Sequence, residues 1–173
     1  MPIAQADIDF HLSGGGANAD PNASLGGTIS GTQITDATVA NLFDNVSGAE
    51  SSAGDTEYRC FYLKNAHASL TWQGVNVWIG TNTPSADTDV EIGLDPAGVG
   101  EGSTTGVAAT VADESTAPAG VTFSKPASGS PLNVGDIPAG SAIAVWVKRT
   151  VSAGASAYNA DSVIIEAQGE TAA

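Results

Sequence analysis

Residues 58–80, YRCFYLKNAHASLTWQGVNVWIG, leave a chain little choice but β structure. Phe61 and Leu63 alternate with Cys60, Tyr62 and Lys64, the period of two that gives a strand two distinct faces. A polar break follows at Asn65-Ala66-His67-Ala68. The second apolar run begins with Leu70 and Trp72 on one parity and resumes with Val75, Val77 and Ile79 on the other. The slip falls at Gln73-Gly74, and a glycine at a parity slip marks a β-bulge, where the extra residue often needs a conformation that Cβ opposes. Aromatic and β-branched residues fill both runs and favour a pleated surface. The stretch reads as strand, turn, strand, and as the hydrophobic centre of the molecule.

The rest of the chain repeats that idiom in shorter pieces. Residues 6–12 place Ile8, Phe10 and Leu12 on one face and Asp7, Asp9 and His11 on the other. Short strands are expected at 27–30 and 33–39, with a helical turn over 36–43, N-capped by Asp36, as the alternative to the second. Residues 88–94 turn Val90, Ile92 and Leu94 inward, and residues 141–151 do the same with Ile143, Val145, Val147 and Val151. Residues 46–56 read as a polar, acidic loop, and 99–120 as a surface loop or extended arm with a short strand near 107–111. A short strand at 121–123, a break at 126–131, a tight turn at 135–140, a closing strand at 161–167 and a frayed tail from 169 complete the pattern. Twenty-one glycines and eight prolines punctuate the apolar runs, and no long helical periodicity intervenes. Nine or ten short strands at this spacing imply an all-β fold, an antiparallel two-sheet sandwich of jelly-roll type. Residues 1–50, an N-terminal strand with a Gly/Asn-rich arm, are expected to pack on or continue into a sandwich domain at 51–173.

Charge narrows the partners. Nineteen acidic against five basic residues give a formal net charge of −14, so phosphate backbones and anionic lipid repel this chain. Neither nucleic acid nor a membrane is an expected partner. Cys60 is the only cysteine, which excludes an intramolecular disulfide, and inside a strand it reads as a small buried hydrophobe. The first ten residues carry neither a basic nor an apolar leader region, and the expectation is folding in a reducing cytoplasm.

Chemistry-bearing constellations are sparse. His11 and His67 belong to no nucleophile–base pattern and no metal-ligand spacing, and no carboxylate pair is singled out for acid–base work. No catalytic residue, cofactor or metal is therefore expected, and the chain reads as a non-enzyme. Oxygen-rich sites at Asp87-Thr88-Asp89-Val90-Glu91, Asp20-Pro21-Asn22 and Asp113-Glu114 complete no calcium loop. Trp78 and Trp146 each stand on the parity opposite the aliphatic face of their own strand. Three readings fit: cover by a loop or the N-terminal segment of the same chain, anchorage in a subunit contact, or a platform for stacking sugar rings. Lys148 and Arg149 hold two of the five cations and read as partners for carboxylates within or between subunits. Trp78, Trp146, Lys148 and Arg149 are the candidate interface residues.

The runs Glu57-Tyr58-Arg59-Cys60-Phe61-Tyr62-Leu63-Lys64-Asn65, Thr81-Asn82-Thr83-Pro84, Ile92-Gly93-Leu94-Asp95-Pro96-Ala97-Gly98 and Ala144-Val145-Trp146-Val147-Lys148-Arg149 resemble those of small structural proteins in tailed-bacteriophage virions. The likeness extends over residues 50–167 and carries no catalytic residues. Within that class the chain is most similar to capsid decoration, or cement, proteins. The resemblance implies a compact β-rich domain, a homotrimer, bound to the outer shell where major capsid subunits meet. It implies synthesis in the bacterial cytoplasm and residence in the virion, with residues 13–31 as an arm that orders on a neighbour. A tail or baseplate component touching a host glycan is the alternative within the class, and a carbohydrate-binding module the alternative outside it.

Overall fold

The computed structural model describes residues 2–171. Eight strands lie among them: β1 (Ile8–Ser13), β2 (Ile29–Gln33), β3 (Asp55–Asn65), β4 (Trp72–Thr81), β5 (Thr88–Leu94), β6 (Leu132–Ile137), β7 (Ala142–Val151) and β8 (Ile164–Thr171). One α-helix, α1 (Gly48–Ala53), precedes β3. All pairings are antiparallel. A five-stranded sheet runs β2-β1-β3-β7-β5, and a three-stranded sheet runs β6-β4-β8. This is the two-sheet sandwich that the alternating pattern predicts.

The two halves of the central stretch part company. β3 becomes the middle strand of the large sheet and β4 the middle strand of the small one. Their inward residues meet: Phe61 and Leu63 of β3, with Val145 and Val147 of β7, pack against Trp72, Val75, Val77 and Ile79 of β4. The bulge falls where the parity slip placed it. Pairing of β4 with β6 shifts between Trp72 and Val75, with Gly74 at φ 57°, so Trp72 and Val75 both reach the core.

The large sheet also buries its other face. Cys60 and Tyr62 of β3 and Ala142, Ala144 and Trp146 of β7 point away from the small sheet into a second core closed by Ala108 and Val111, with Leu25 and Ile29 packed alongside. Residues 14–28 and 95–124 therefore lie across this face as a cover. Backbone bonds pin it: Cys60 N–H donates to the Ser24 carbonyl, Tyr58 N–H to Glu114, and Val111 N–H to Leu25. The segment expected as an arm seeking a neighbour is instead held by its own chain. The 99–120 connection is likewise tied down by isolated bridges, Gly100 to Ala142 and, in place of a strand at 107–111, Gly27 to Ala108.

Other departures have local causes. α1 occupies the region read as a loop, because Ser47 and Glu50 cap each other's backbone N–H groups in a capping box. No strand or helical turn forms over residues 34–47, whose Ile34, Leu42 and Phe43 turn onto the core from an irregular segment. β6 includes Gly135-Asp136-Ile137, read as part of a turn, because Ile137 is fully buried opposite Trp72. Residues 121–123 form no strand, and β8 continues to Thr171 through residues read as a frayed tail.

Candidate functional site

The register of β3 and β7 decides where the candidate interface residues go. Cys60 pairs with Trp146, Tyr58 with Lys148 and Glu57 with Arg149. Trp146 thus points into the second core, where it is fully buried. Its Nε1 donates to Asp95 Oδ2 at 2.9 Å, and Asp95 also accepts from the backbone N–H of Ala97 and Ala109. Gly26, at φ 87°, lies against the indole, and a Cβ there would meet the ring and the Ala109 carbonyl. Trp78 is 9% exposed, on β4 opposite Glu166 of β8. Of the three readings for the tryptophans, cover by the same chain describes Trp146. Neither ring lies open for a sugar to stack on.

Lys148 sits across from Glu91 of β5 and donates to its carboxylate at 2.6 Å, and that bond holds the ammonium pKa above its ordinary value. Arg149 shares the parity of Val145 and Val147 on β7. Its Nε donates to Glu57 Oε2 at 2.6 Å and its Nη1 to the Asp44 carbonyl at 2.7 Å. Arg59, fully buried, donates to Glu114 and to Asn22 Oδ1, the latter at 3.3 Å. Both guanidiniums lie on the Phe43 ring, Arg149 at 4.7 Å and Arg59 at 5.5 Å from its centroid. Two cations taken from water are costly unless paired, and here each has a carboxylate, a carbonyl and an aromatic face. They clamp the 34–47 segment onto the end of the sandwich, as partners within the chain.

Glu57 completes this cluster. It is 1% exposed, and burial pushes its carboxyl above the ordinary range although Arg149 pulls the other way. Its Oε1 has no hydrogen-bond partner, nor does Arg59 Nε. A carboxylate oxygen of Glu57 lies within 4.8 Å of one from Glu50 and one from Asp55. The trio leaves no spacing signal in the sequence, because Glu50 meets Asp55 and Glu57 only through α1. The capping box, by fixing α1 one turn ahead of β3, was the available signal.

The other singled-out groups stay apart. Asp87 accepts from the Ser156 N–H, Asp89 pairs with Lys125 and Glu91 with Lys148, so the alternating acids at 87–91 converge on nothing. Asp20 caps a 3-10 turn and Asp113 a polar turn. His67 Nδ1 accepts from the N–H groups of Ser69 and Leu70 and shapes the β3–β4 turn. His11 is buried, with Nδ1 2.9 Å from the Ser30 carbonyl. Cys60 is fully buried, and burial raises its thiol pKa far from the reactive range. Tyr62 is pushed up to about 12 by burial, its hydroxyl donating to the Gly27 carbonyl and accepting from Ala108 N–H.

No helix among the described residues is long and apolar enough to cross a membrane. No protein-family model matches the chain, and neither curated proteins nor solved structures gave a match.

Proposed function

We propose that this protein is a non-enzymatic structural component of a tailed-phage virion, a capsid decoration protein that binds the outer shell and holds capsid subunits together. The observation that carries the reading is the contrast between its sheet edges. The β5 edge is closed by its own chain: the Asn82 amide bonds both the N–H and the carbonyl of Val90, and Ser124 exchanges two backbone bonds with Ile92. The outer edges of the small sheet have no backbone partner among the described residues, along the eight residues of β8 and the six of β6. Ile164 at the head of β8 and Tyr158 in the connection before it are each 52% exposed. An open strand edge beside exposed apolar side chains is a template for adhesion to another chain.

Charge supports the same reading. Arg59, Lys125, Lys148 and Arg149 are all paired within the chain, so the surface offered to a partner is predominantly acidic. A partner must present basic groups around the contact, and complementary potentials would speed encounter and set orientation. The motif likeness to virion structural proteins supplies the shell and the homotrimer. Symmetric repetition then turns a modest contact into avidity.

The test is co-sedimentation of the purified protein with phage heads assembled without it. Saturable binding to heads that weakens when Ile164 becomes Asp is the expected result. Binding to tails would move the protein to the tail or baseplate, and binding to neither would end the proposal.

A further inference from the structure

We infer that Glu50, Asp55 and Glu57 form a binding site for a divalent cation of the calcium class. The topology builds it. Asp55 and Glu57 stand two apart on β3, on the same face, and Glu50 arrives from α1 because Gly54 turns the chain at φ 79° directly after the helix. One carboxylate oxygen from each falls within a common 4.8 Å.

The oxygens are divided between structural work and none. Glu50 Oε2 accepts from the Ser47 N–H, Asp55 Oδ1 from the Thr56 N–H, and Glu57 Oε2 from Arg149. Each carboxylate therefore has a second oxygen outside these bonds. That of Glu57 is the telling one, because the residue is 1% exposed and its Oε1 is an orphaned buried acceptor. An unpartnered buried carboxylate oxygen costs free energy until something positive meets it. Arg149 is already committed to Glu57 Oε2 and to Asp44, and Arg59 donates through Nη2 to Glu114 while its Nε makes no bond to Glu57 Oε1.

The donor set selects the ion. Glu50, Asp55 and Glu57, with Asp44 and Glu114 on the same two guanidiniums, set five carboxylates against Arg59 and Arg149, a formal excess of negative charge that a divalent cation reduces. All-oxygen ligands suit hard cations, and calcium, with its 6–8 oxygens in flexible geometry, tolerates an irregular carboxylate trio completed by water. Magnesium demands near-octahedral ligands and keeps several waters, so this site ranks it below calcium. Occupancy would tie α1 to the first residues of β3 and remove the repulsion among the three acids.

The test is calorimetric titration of the chelator-treated full chain with calcium chloride near neutral pH, with magnesium chloride and matched sodium chloride as comparators. The expected result is one saturable site with a dissociation constant of about 10⁻⁴–10⁻³ M, calcium binding more tightly than magnesium. Saturating calcium should raise the melting temperature by about 3 °C. Glu50→Gln and Asp55→Asn, both at partly exposed positions, should each weaken binding about tenfold or more. No saturable binding by the wild type below about 10 mM calcium overturns the site. Binding unchanged in both variants overturns it equally, by placing the ion elsewhere.

Discussion

Trp146 shows how much one side chain can fix. Its indole fills the second core and its N–H reaches Asp95, itself 3% exposed. Replacing Trp146 with Phe removes a hydrogen bond to a charged group and leaves unfilled volume. Urea titration should show a loss of about 3 kcal/mol. Glu57 makes a prediction of opposite character. Its folded pKa is raised above the unfolded value of 4.5, first by burial. The native state therefore binds this proton more tightly, and the resulting stability is fully present below the unfolded pKa and is lost as pH rises through the folded one. Measured in chelator, wild type relative to Glu57→Gln should lose stability as pH climbs above about 4.5. A gain over that interval would mean that the Arg149 pairing outweighs burial. The parity of Trp78 and Trp146 was legible in the letters; what covers Trp146 was not, because cover by residues 14–28 and 95–124 depends on long-range backbone bonds that leave no period in the sequence.

At the scale of elements, the long strands were readable and the short ones were not. β3, β4, β5 and β7 carry alternating aromatic or β-branched residues over seven residues or more, and their expected and observed positions nearly coincide. β6 has only Leu132, Val134 and Ile137 around a glycine, too few for a period, and its pairing with β4 makes it a strand. α1 is six residues long, and helices that short depend on their caps. Ser47→Ala should fray it, with about 1 kcal/mol lost and faster amide exchange confined to residues 48–54. Asn82→Ala should cost about 1–2 kcal/mol, because the backbone groups of Val90 lose both amide bonds. Hydrogen exchange localised to β5 would identify the edge as the element affected.

For the whole molecule, the sandwich follows from amphipathic strands that must each bury a face, and the large sheet solves that problem twice, against the small sheet and under its own loops. Cover on both faces of the large sheet leaves the edges of the small sheet, β6 and β8, as the open strand margins among the described residues. The central claim is that this body decorates a shell. Electron cryomicroscopy of virions with and without the protein tests it most directly. The account predicts difference density of sandwich size on the outer face of the head, repeated where capsid subunits meet, with β8 turned toward its neighbour. Heads identical in both maps, with the difference confined to the tail or absent, would contradict it.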